Sequence, residues 1–172
     1  MRQGFPSALS ASRLLLKILV PLNLLFAVLL LGFLVLTFVA SAFVMEAIKI
    51  RGADPTLLLQ GMRITLGIFI VSVGLTHILL TQLRAIVESV RSGDAFFVAN
   101  AVRLRTIAKV LLGLELLRLA IGFVAAATLY GTYADVDGDF SITPWLAILL
   151  VFVLAQVFED GSQMREDLSG TV

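Results

Sequence analysis

Apolar residues dominate four stretches of the chain, and polar residues collect between them. Residues 14–45 form one run whose single charged member is Lys17, which can snorkel to an interface. Residues 57–83, 106–130 and 142–158 form three more. A bilayer core of about 30 Å needs about 20 helical residues at 1.5 Å each, so each stretch reads as a transmembrane helix. The fourth is the shortest, with Pro144 expected in its first turn and Ser141 or Thr143 as its cap. Short connections make consecutive spans antiparallel neighbours. The predicted fold is therefore all-α: one domain over 1–172, an integral membrane up-down four-helix bundle with a tail at 159–172. The two helical hairpins show no convincing repeat.

Ala40-Ser41-Ala42 resembles a signal-peptide cleavage site. The apolar run before it is longer than the roughly 7–15 residues of such a peptide, so we expect a retained anchor.

Composition strengthens the membrane reading. Hydrophobic residues make up 59% of the 172 and charged ones only 15%, against roughly a quarter in soluble domains. The charges are also clustered. Arg2, Arg13 and Lys17 flank the first span, Arg84, Arg91, Arg103, Arg105 and Lys109 lie around the second connection, and Arg165 is in the tail. The other side has Lys49, Arg51 and the acidic run Asp135, Asp137, Asp139. This basic asymmetry predicts both termini in the cytoplasm.

The connections carry stop and start signals. Gly52, Asp54 and Pro55 read as a turn, Gly93 as a C-cap after the second span, and Asn100 as the N-cap of the third. Phe96 and Phe97, beside Arg103 and Arg105, form a candidate loop for contact with lipid headgroups or a protein. The plainer reading of the basic residues there is a topology signal.

Within the spans, polar and small residues fall on stripes. The second span has Arg63, Gly67, Ile70, Gly74, His77, Thr81 and Arg84, and the third has Ala108, Glu115, Arg118, Gly122 and Ala125. The first offers Asn23, Ala27, Thr37 and Ser41, the fourth Trp145, Phe152, Gln156 and Glu159. Small residues admit close helix approach and polar ones avoid lipid, so these stripes are expected to face protein. Arg63, His77, Glu115 and Arg118 form a candidate intramembrane polar or ion-pair site. Glu115 and Arg118 are spaced to pair along one helix, and Glu115 is placed within reach of Arg63 as well. Such a group either binds a ligand, ion or proton or fixes helix register. His77 has a plain reading as a packing residue. Asn23, Lys109, Gln156 and Glu159 form a second candidate cluster toward the cytoplasmic side.

Chemistry is constrained by what is missing. The chain has no cysteine and one histidine, which excludes disulfides, thiolate sites and bis-histidine haem ligation within one chain. The Asp135, Asp137, Asp139 spacing begins like a calcium loop, but Phe140 and Leu146 stand where that loop needs Gly and Glu. No metal or cofactor is expected, and no nucleophile, base and orienter share a spacing that defines an enzyme site.

Two segments carry a resemblance. One is Ser92-Gly93-Asp94-Ala95-Phe96 through Asn100 to Arg103-Leu104-Arg105-Thr106-Ile107. The other is Gln156-Val157-Phe158-Glu159-Asp160-Gly161 with Met164-Arg165-Glu166-Asp167-Leu168. With four spans, the chain resembles the bacterial membrane family catalogued as domain of unknown function 2975, although Ala95 stands where that family usually has Pro. The resemblance implies a bacterial inner membrane location. It implies no catalytic residues, but a genetic neighbour of the small helix-turn-helix DNA-binding class. The expected function is a non-enzymatic sensory or regulatory protein that binds such a cytoplasmic regulator and not nucleic acid itself. The alternative is a small oligomeric transporter or channel with a polar interior. Gly161 is expected to break the last helix, so that Glu159, Asp160, Glu166 and Asp167 fold back on Arg91, Arg103 and Arg105.

Overall fold

A computed structural model describes residues 5–48, 54–91, 98–129 and 141–169, with the side chains of 5–10 and 165–169 excepted. Five helices account for them: α1 (Phe5–Val39), α2 (Ser41–Ala47), α3 (Pro55–Arg91), α4 (Val98–Leu129) and α5 (Thr143–Ser169). Four, all but α2, are long and apolar enough to cross a membrane, which supports a multi-pass membrane protein. The loop of Asp135, Asp137 and Asp139, Gly52, the Gly93 cap and Phe96 and Phe97 lie outside the described residues.

Local chemistry sets the helix starts. Asp54 caps α3: its Oδ1 accepts from the Thr56 backbone N–H at 2.8 Å and from the Thr56 hydroxyl at 2.7 Å, while its carbonyl accepts from Leu58 N. Pro55 follows at the first helical position, where its missing N–H costs nothing. The side-chain bond from Thr56, then the backbone bond, holds the Asp54 carboxyl below its ordinary range. In α5 the first helical bond runs from Leu146 N to Ile142 O. Pro144 therefore sits in the first turn as expected, but Ile142, not Ser141 or Thr143, occupies the cap position.

Three expectations about helix ends are corrected. The first apolar run is not one helix. It breaks at Ala40, whose backbone (φ −117°, ψ 42°) leaves the helical region, and α2 then packs the buried Val44. Asn100 is not an N-cap, because α4 begins at Val98 and Asn100 is fully buried. Gly161 does not end α5, which continues to Ser169. Glycine costs about 1 kcal/mol against alanine in a helix. Ala155 (1% exposed) and Ser162 (3%) show that this stretch is held by burial across the glycine.

Packing is serial. α1 lies on α3, α3 on α4, and α4 on α5, with α2 against α1 and α3. Among the described residues α1 makes no contact with α4 or α5, and α3 makes none with α5. Among the described residues the helices form an open antiparallel row, without the α1 to α5 contact that would close a four-helix bundle.

Close approach occurs at glycines other than the expected ones. A Cβ on Gly61 would collide with the Thr128 side chain, and one on Gly113 would meet Leu75 Cδ1 at 3.2 Å. Gly67, Gly74 and Gly122, placed on the predicted packing stripes, have nothing within 4 Å of such an atom. Those three glycines therefore do not mark the helix seams, although Arg63 of the same α3 stripe bonds Thr37 of α1 and Ala108 and Glu115 of the α4 stripe are buried.

Candidate functional site

The expected intramembrane site separates into individual arrangements. Arg63 does not reach Glu115. Its Nη2 donates to the Thr37 carbonyl, its Nε to Thr37 Oγ1 at 3.4 Å, and its guanidinium lies 4.1 Å from the centre of the Phe38 ring. Thr37 is fully buried and sits in the last turn of α1, where carbonyls lack helical partners and the helix dipole favours a cation. Arg63 thus caps α1 from the neighbouring helix, at the break before α2.

Glu115 and Arg118 do pair. Arg118 Nε donates to both carboxylate oxygens at 3.1 Å and Nη2 donates to Oε1 at 2.7 Å. The Glu115 side chain is 6% exposed and that of Arg118 46%. The carboxylate is thus enclosed and the guanidinium lies at the protein surface. His77 is half-buried and makes no hydrogen bond among the described residues.

Asn23, Lys109, Gln156 and Glu159 do not form one cluster. Asn23 Nδ2 donates across the α1/α3 seam to the Val73 carbonyl at 3.2 Å. Gln156 donates to Asp160 one turn on, at 2.9 Å. Lys109 is exposed and makes no bond among the described residues. Glu159 accepts from Arg105.

That last contact belongs to a set at the basic end, where α1 and α4 start and α3 and α5 finish. Arg13 meets Glu88 at 3.7 Å across α1 and α3, with Arg91 4.0 Å from the same carboxylate. Asn100 Nδ2 donates to Ser89 Oγ at 2.8 Å across α3 and α4, and Arg103 Nη1 donates to Asn100 Oδ1 at 2.8 Å and to the Ala85 carbonyl at 3.4 Å. Arg105 and Glu159 join α4 to α5. Every seam of the row thus carries a polar tie at one end. The ties with exposed partners contribute up to about 1 kcal/mol each, whereas the Asn100 tie is buried, where losing a partner costs about 1–3 kcal/mol.

Arg103 therefore turns toward α3, and Arg105 toward α5, where Glu159 meets it by side-to-side packing of the two helices; the side chains of Glu166 and Asp167, the rest of the expected fold-back, lie outside the described residues. Sequence reasoning missed Ser89 and Glu88 and misread Asn100. A polar residue three positions into a helix start was the available signal, since a cap and a cross-helix bond both ask for Asn there.

One groove of about 530 Å³ opens between Leu22, Phe26 and Leu29 of α1 and Thr76 and Leu80 of α3, with Asn23 in its wall. Thr76 bonds its own helix at Ser72 O. Among the described residues, no three His, Asp or Glu side chains gather where a metal ion could be held. No family model, curated protein or solved structure matches the chain, so the family resemblance rests on its two motif segments.

Proposed function

We propose that this chain is a non-enzymatic regulatory membrane protein, with both termini in the cytoplasm of a bacterial cell, whose basic end docks a soluble partner. The observation that carries this reading is helix length combined with the polar ties. The four long helices have 35, 37, 32 and 27 residues, or about 40–55 Å at 1.5 Å each, against a core of about 30 Å. Asp54 caps α3 just before its apolar run, so the excess of that helix falls at the basic end. There the Arg13, Asn100 and Arg105 contacts fix the helix ends relative to one another. A rigid, projecting, charged platform suits a protein partner, and the resemblance favours a small helix-turn-helix regulator.

The test is affinity purification in mild detergent, with mass spectrometry of what accompanies the chain. Recovery of a DNA-binding protein that rebinds the purified chain, and is lost on Arg105→Glu, is the expected result. Recovery of no soluble partner, with unchanged gene expression on deletion, refutes it.

The Glu115–Arg118 pair favours one second reading, a small oligomeric transporter. That reading requires solute flux in liposomes that Glu115→Gln abolishes.

A further inference from the structure

Cationic side chains toward the basic end fall into two groups. Arg13 and Arg91 are held by Glu88, Arg103 by Asn100 and Arg105 by Glu159. Lys17, Arg84 and Lys109 are exposed and make no hydrogen bond or ion pair among the described residues. They stand on three adjacent helices of the row, α1, α3 and α4.

Contacts between the helices bring these cations to one level. Asn23 meets Val73 and Arg13 meets Glu88 across α1 and α3, while Leu75 lies on Gly113 and Ser89 on Asn100 across α3 and α4. Counted along the helices from those contacts, Lys17 and Lys109 both stand beside Thr81 to within about one turn. Arg84 is about one turn further toward the basic end. The faces agree as well. At about 100° per residue, Lys17 points about a quarter turn away from the α3-facing Leu16 and Asn23, on the side opposite the Leu22 and Phe26 groove. Thr81 occupies the same side of α3, between the α1-facing Val73 and the α4-facing Leu75, with Arg84 between Thr81 and α1. Lys109 projects to that side of α4, between Gly113 on α3 and Arg105 on α5.

The level is that of lipid headgroups. From Leu57, where the apolar run of α3 opens behind its Asp54 cap, to Thr81 is about 36 Å. From Lys17 to Val39, with no charge between, is about 33 Å. A bilayer core is about 30 Å thick, so the cations stand just beyond the hydrocarbon, where Lys and Arg heads meet phosphate. The carboxylate one turn beyond Arg84, Glu88, is already held by Arg13 and Arg91.

We propose that this face holds the phosphate of an anionic phospholipid. Lys17 and Arg84, on helices whose axes lie about 8–10 Å apart, donate to its free oxygens from two sides. Lys109, one helix along, attracts a headgroup of net negative charge and repels the cation of a zwitterionic one. The paired cations thus tie the helices together, while the unpaired ones anchor the row to a charged leaflet.

Native mass spectrometry of the full-length chain in mild detergent, titrated with phosphatidylglycerol or with phosphatidylcholine of the same acyl chains, tests this. The expected result is saturable binding that favours phosphatidylglycerol. Lys17→Gln and Arg84→Gln, each checked for native helicity, weaken that binding about fivefold per charge removed and leave phosphatidylcholine binding unchanged. Lys17→Arg retains the preference, and inorganic phosphate in excess does not displace the lipid. Equal binding of the two lipids overturns the proposal. So does a preference that survives in the double glutamine variant or that inorganic phosphate abolishes.

Discussion

At the scale of single residues, the polar groups of the spans act mainly where the backbone or a neighbouring helix needs them. Arg63 satisfies a carbonyl at the end of α1 and Asn23 ties α1 to a carbonyl of α3. Packing is equally local. A side chain of another helix closes on Gly61 more tightly than on Gly113. Gly61→Ala is therefore expected to destabilise the protein by about 1–3 kcal/mol through overpacking, measured by thermal unfolding in detergent. Thr128→Ala should restore part of that loss, while Gly67→Ala should cost nothing. The sequence alone made the Glu115–Arg118 pair legible, because partners three apart on one helix need no knowledge of its neighbours. It could not separate Gly61 from Gly67 and Gly74, nor Asn100 as a tie from Asn100 as a cap. Those distinctions depend on which residue of another helix arrives at the same level.

At the scale of elements, the length of the apolar runs located all four long helices but misjudged where they stop. The break at Ala40 lies inside an apolar run, with neither Gly nor Pro beside it to announce it. Its stabilisation comes from α3, through Arg63 on Thr37 and through the seat of Val44. Gly161 is the converse case, a breaker overridden by burial of Ala155 and Ser162. Arg63→Gln is expected to loosen the α1/α2 junction, with a loss of about 1.5–3 kcal/mol for hydrogen bonds from a charged donor. Hydrogen exchange should rise at Ala40 and Val44, whose amides bond Leu36 and Ala40, with little change at the basic end. Uniform destabilisation of all four helices would instead make Arg63 part of a molecule-wide network.

At the scale of the whole molecule, short connections made the order of neighbours readable, and the contacts do run α1, α3, α4, α5. Closure was not readable. An apolar pattern says that a helix face avoids water without saying whether lipid, α1 or another copy covers it. The polar ties at the basic end have a simpler logic. They hold the projecting helix ends in a fixed arrangement, the platform on which we propose that a partner docks.

The most direct test is site-specific photo-crosslinking in living cells, with the probe at Arg91 on the basic end and, separately, at Thr56 on the opposite end. Docking at the basic end requires adducts with a soluble cytoplasmic protein from position 91 and none from position 56. Adducts from position 56 alone, or none with any soluble protein from position 91, would contradict both the orientation and the docking role.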